Sequence, residues 1–172
     1  KIQEQLSAAG INVIHDKTIH DYPSYNGSYD RSAVTVKAIL AQYPSIKIVL
    51  DVHRDAIEKD DGSRVAPTVS IDGKNAAQVM IISGADNGKL NMPNYMQNFR
   101  FASLLQQEME SDYPGLTRPI FFAYRKYNQD LTTGSILIEV GGHANSIDEA
   151  QYSGELIGKS LVSALEKIKT KS

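Results

Sequence analysis

Two apolar runs constrain this chain most, because each carries charge where a buried strand has no structural use for it. The first, Lys47-Ile48-Val49-Leu50-Asp51-Val52-His53-Arg54-Asp55, is rich in β-branched and apolar residues and ends in a histidine flanked by charge. The second, Ser135-Ile136-Leu137-Ile138-Glu139-Val140-Gly141-Gly142, holds a carboxylate inside an apolar run. Runs of this kind read as buried strands of a parallel sheet, and such sheets gather functional groups beyond the carboxyl ends of their strands.

A carboxylate in that setting is costly to bury unless it is paired, metal-bound or protonated. Glu139 therefore reads as a general base whose proton affinity is raised by desolvation, or else as half of an ion pair with Arg54, Arg100 or Arg125. His53 reads as a hydrogen-bonded strand-end histidine or as a metal ligand. Asp51, two residues back on the same strand face, is placed to orient its imidazole. The functional reading turns on whether His53 and Glu139 meet.

The remaining sequence alternates helical and strand patterns. Residues 1–9 place Ile2, Leu6 and Ala9 at helical spacing, with Gly10 positioned to end the helix, and residues 11–14 read as a strand. Residues 15–29 form a long polar, tyrosine-rich loop carrying His15, His20, Tyr22, Tyr25 and Asn26. Asp30 is a candidate cap for a helix over 31–42. A hairpin insertion is expected around 64–83, turning at Asp72-Gly73, with Val79-Met80-Ile81-Ile82 apolar enough for a central strand. A helix opening near Pro93 stops before Pro114-Gly115, and a short strand follows at 120–123. Ser146-Ile147-Asp148-Glu149 fits a capping box opening a helix that runs to about Lys167. The class is α/β: a mainly parallel sheet flanked by helices on both faces, with that hairpin inserted.

Composition narrows the function. A chain of 172 residues, 41% hydrophobic, is expected to form a single domain over 1–172. A net charge of −2 without a dense Lys/Arg run argues against nucleic acid as a partner. Cysteine is absent, which leaves His, Asp and Glu as the metal-ligand side chains. No G-x-S-x-G elbow, phosphate-binding loop or G-x-G-x-x-G is present, so serine hydrolase, nucleotidase and dehydrogenase readings lack their signatures. The chain opens inside an amphipathic helix that feeds a strand, so the first strand of a β-α-β unit is expected upstream of Lys1.

The segments IHDYPSYNGSYDRS, VLDVHRD, NFRFA and ILIEVGGHANS, in that order, resemble the catalytic domain of the stage II sporulation protein P family. That family is similar to the zinc-dependent N-acetylmuramoyl-L-alanine amidases. The resemblance implies a phosphorylase/hydrolase-like fold and a peptidoglycan hydrolase that cleaves the N-acetylmuramoyl-L-alanine amide, with an additional endopeptidase activity. It implies that His53 is a zinc ligand and Glu139 the catalytic glutamate. The other zinc ligands, a histidine and a glutamate, are expected upstream of Lys1, so this stretch alone is expected to be inactive and to lack tightly held zinc. His20, Tyr25, Arg54 and Arg100, all within the matching segments, are candidate substrate contacts. The resemblance further implies a membrane anchor upstream, an extracytoplasmic location at the sporulation septum, and partnership with a septal peptidoglycan hydrolase and membrane proteins of the engulfment machinery. Two competing expectations are a non-catalytic peptidoglycan-binding or scaffold module and a zinc carboxypeptidase-like peptidase.

Overall fold

The computed structural model describes residues 1–169. Helix α1 (Ile2–Ala8) closes as its glycine predicts. Gly10 takes φ 75°, the Gly10 N–H donates to Ser7 O at 3.0 Å, and the Ile11 N–H reaches back to Leu6 O at 2.9 Å. Residues 11–14 are not a strand, which corrects the sequence reading. Ile11 and Val13 pack against the core but the segment joins neither sheet, so their alternation reflects side-chain burial rather than strand pairing. Helix α2 (Ser28–Gln42) starts before the expected position, after Gly27 at φ 80°. Asp30 therefore lies in its first turn, where the helix dipole favours an acid, and does not cap it.

Strand β1 (Ile48–Asp55) leads to a hairpin of β2 (Thr68–Ile71) and β3 (Lys74–Ala77), which turns at Asp72 (φ 49°) and Gly73 (φ 74°). Two consecutive positive φ values mark the turn type that aspartate-glycine favours. The hairpin is tighter than the 64–83 span, because residues 79–84 leave it as β4 (Val79–Gly84) and enter the main sheet. Helix α3 (Tyr95–Asp112), β5 (Phe121–Ala123), β6 (Gly134–Gly142) and α4 (Ile147–Lys169) complete the fold. The main sheet has the order β1-β6-β4-β5. The β1/β6 and β4/β5 pairs are parallel, and β4/β6 is antiparallel. The result is an α/β fold with a mostly parallel sheet flanked by helices.

The core lies between one sheet face and the α3/α4 layer. Ile81, Ile136, Ile138, Leu105, Met109, Leu156, Ile157 and Leu161 are each 2% exposed or less. Burying a side chain of this size contributes roughly 1.5–3 kcal/mol. α4 opens with the expected capping box: the Glu149 N–H donates to Ser146 Oγ at 3.1 Å, and the Ser146 N–H to Glu149 Oε2 at 2.9 Å. Along the outer edge of β1 runs an open groove of about 1550 Å³, lined by residues of α1, α2, β1 and α4. No helix among the described residues is long and apolar enough to cross a membrane.

Candidate active site

The parallel β1/β6 pairing brings the two diagnostic residues together. His53 is the register partner of Glu139, and Asp51 that of Leu137. Side chains alternate along a strand, so Ile136, Ile138 and Val140 enter the core while Leu137 and Glu139 face the other way. Directly paired residues share a face, which places Asp51 and His53 beside Glu139 on the face opposite the α3/α4 layer.

His53 is held by its own strand. Its Nε2 lies 2.7 Å from Asp51 Oδ1, with 44% of the His53 side chain and 37% of the Asp51 side chain exposed. The bond to Asp51 holds the imidazole above its ordinary pKa range, against the opposing pull of burial. Asp51 takes a second hydrogen bond from the Tyr29 hydroxyl at 3.3 Å. Burial, and then the Asp51 carboxylate, push the Tyr29 hydroxyl well above its ordinary range, so it stays protonated and donates. His53 and Asp51 border the groove along β1.

Glu139 is half-buried, and its Oε2 is enclosed with no hydrogen-bond partner. Burial first, and the Asp55 carboxylate second, push its carboxyl above the usual carboxylate range, while His53 and Arg118 pull it down. Its ion-pair alternatives are not realised among the described residues. Arg54 donates to the carbonyls of Gly142 and Asn145, and Arg100 and Arg125 are exposed without an ion pair to Glu139. The cation near Glu139 is Arg118, whose Nη1 and Nη2 each lie 3.1 Å from Asp55 Oδ2. Its backbone N–H bonds Val79 O at 2.7 Å, which fixes it at the start of β4.

The glycines after Glu139 have a steric cause. Gly141 takes φ 66°, and a Cβ there would lie 2.5 Å from Asn145 Oδ1 and 2.7 Å from the Ala77 Cβ. Asn145 is 5% exposed and acts as a hub. Its Oδ1 accepts the Gly142 N–H at 2.8 Å, and its Nδ2 donates to Pro67 O, Thr68 Oγ1 and Glu149 Oε2. The GGHAN segment thus bends the end of β6 and ties it to the hairpin and to α4.

Of the candidate substrate contacts, His20 is used internally: its Nε2 lies 2.9 Å from Thr35 Oγ1, and its carbonyl accepts Arg31 Nε at 2.6 Å. Arg31 also donates to the carbonyls of Asn26 and Ser24, pinning the loop that presents Tyr25, which is 77% exposed. Arg54 acts as a backbone clamp, and Arg100 stands exposed on α3. Sequence reasoning missed Arg118, which sits in a connecting segment without periodicity, and the specific contact of Tyr29.

Among the described residues no group of three or more His, Asp or Glu side chains could hold a metal ion. His53 and Glu139 alone fall short of the three protein ligands a catalytic zinc requires, so the described residues do not fit the ion by themselves.

The model of the stage II sporulation protein P (SpoIIP) family matches residues 1–161. The chain belongs to that family. It is 34% identical over 155 residues to stage II sporulation protein P of Bacillus subtilis (strain 168), covering 87% of this chain and 33% of that protein. The chain thus spans about a third of the length of the curated relative it matches. Among solved structures, the CwlD amidase of Clostridioides difficile, determined in complex with the GerS lipoprotein, aligns with a TM-score of 0.60 at 13% identity, over 99% of this chain and 82% of that one. N-acetylmuramoyl-L-alanine amidase AmiC2 of Nostoc punctiforme aligns with a TM-score of 0.57 at 11% identity, over 96% of this chain and 78% of that one. At such identities the likeness concerns the fold, which this chain shares with these amidases.

Proposed function

We propose that this chain carries the proton-transfer part of a peptidoglycan hydrolase that acts in sporulation and cleaves the amide between the lactyl group of N-acetylmuramic acid and L-alanine. The observation that supports the reading is the cross-strand pairing of His53 with Glu139, whose enclosed Oε2 lacks a partner. A half-buried carboxylate with raised proton affinity is suited to take a proton from water and return it near neutral pH. Glu139 takes a proton as the water oxygen bonds to the lactyl carbonyl carbon. It then delivers that proton to the alanine nitrogen as the C–N bond breaks, leaving a lactyl acid and a free stem peptide.

His53 contributes an imidazole beside that carboxylate. The zinc implied by the family resemblance needs ligands beyond the described residues, so the chemistry assigned to this chain is the proton transfer. Action at the septum from a membrane-anchored, extracytoplasmic protein, alongside another septal hydrolase, belongs to the same reading and rests on the family.

Digestion of peptidoglycan by the full-length protein, with mass analysis of the products, tests the reaction. Intact stem peptides starting at L-alanine are expected. Release of single residues would favour a carboxypeptidase, and release of cross-link fragments alone would favour an endopeptidase. A non-catalytic peptidoglycan-binding module is the second reading, favoured by the short donor set. Binding to peptidoglycan without release of any product would establish it.

A further inference from the structure

We propose that Tyr29 is a positioning residue for His53, acting through Asp51. This rests on the assignment of His53 to the active site. A carboxylate holding an imidazole by one oxygen remains free to turn about its last bond, most of all where water reaches it, as it does at Asp51. The Tyr29 hydroxyl removes that freedom by holding Oδ2 while Oδ1 faces His53 Nε2. A carboxylate is an acceptor, so Nε2 carries the proton and the lone pair stands on Nδ1. Nδ1 has no hydrogen-bond partner among the described residues and is the atom available to a substrate or metal ion.

Tyr29 is itself fixed from outside its helix. Its ring centroid lies 5.1 Å from that of Tyr127, and its carbonyl accepts the Asn128 side-chain N–H at 2.9 Å. Both of these turn residues take left-handed backbone, with φ 45° and 56°, a conformation uncommon for tyrosine. The turn after β5, the first turn of α2 and β1 thus converge on the orientation of one imidazole.

The test uses Tyr29→Phe, which keeps the ring and its Tyr127 contact and removes the hydroxyl, with Asp51→Asn as the stronger comparison. In this 172-residue chain, ¹⁵N NMR at a pH where the imidazole is neutral should show His53 protonated at Nε2. Tyr29→Phe should shift it to a mixture of tautomers, and Asp51→Asn should abolish the preference. In the full-length protein, Tyr29→Phe should lower kcat about tenfold with KM unchanged, and Asp51→Asn should lower it about 10- to 100-fold. A His53 tautomer unchanged by Tyr29→Phe would overturn the proposal, as would a change confined to KM. If the tautomer shifts while Glu139→Gln leaves activity intact, the positioning stands and the assigned reaction fails.

Discussion

Ile138 and Glu139 are consecutive residues of one strand and obey different physics. Ile138 is 0% exposed and packs with Ile81, Leu105 and Leu161 in the core cluster. Glu139 turns to the opposite face, where its neighbours are His53, Asp55 and Arg118 and one of its oxygens is left without a partner. The covered face is satisfied contact by contact, whereas the other keeps an enclosed polar atom without a partner. The two-residue period of a strand lets one segment hold the domain together and present chemistry at once. Stability and activity should therefore separate between neighbouring positions.

The sharpest way to break the comparison is Ile138→Ala, which empties a fully buried site. Chemical denaturation should show a loss of about 2–5 kcal/mol. A loss below the range of surface substitutions would mean that the covered face does not carry the fold. Asn145→Ala comes next, because it strips partners from the Gly142 N–H at the end of β6. About 1–3 kcal/mol should be lost, the cost of a buried group left unsatisfied. Ser146→Ala, which removes the cap of α4, should cost about 1 kcal/mol.

The smallest effect is a pH dependence. The Ser146 N–H first, and the Asn145 side chain second, hold the Glu149 carboxyl below its ordinary range. A carboxyl so depressed stabilises the fold above its unfolded pKa, and that contribution is lost as pH falls through the folded value. The stability gap between the native chain and Glu149→Gln should be present at neutral pH and close in acid. A gap that widens in acid would show that the cap is not the cause.

The sequence made the site's centre legible because both residues break apolar strands, and a charge in such a place needs a reason. The capping box at Ser146 and the glycine after α1 were legible because their chemistry is local. Other features depend on partners distant in the chain. Residues 11–14 have a strand's alternation but no strand beside them to pair with. Arg118 and the Tyr29–Asp51 contact are brought to the site by the turn after β5 and the start of β4, which no local pattern reveals. Arg54 looked free to meet substrate until the bend at Gly141 supplied carbonyls for its guanidinium.

The most direct test is Glu139→Gln in the full-length protein, with peptidoglycan hydrolysis and thermal melting measured on the same sample. Glutamine keeps the shape of the side chain and removes the charge that burial disfavours. Hydrolysis should fall by about 10²- to 10⁴-fold, the contribution of a positioned acid–base group, while the melting temperature holds or rises. Hydrolysis retained at the native rate, or lost only together with the fold, would contradict the account.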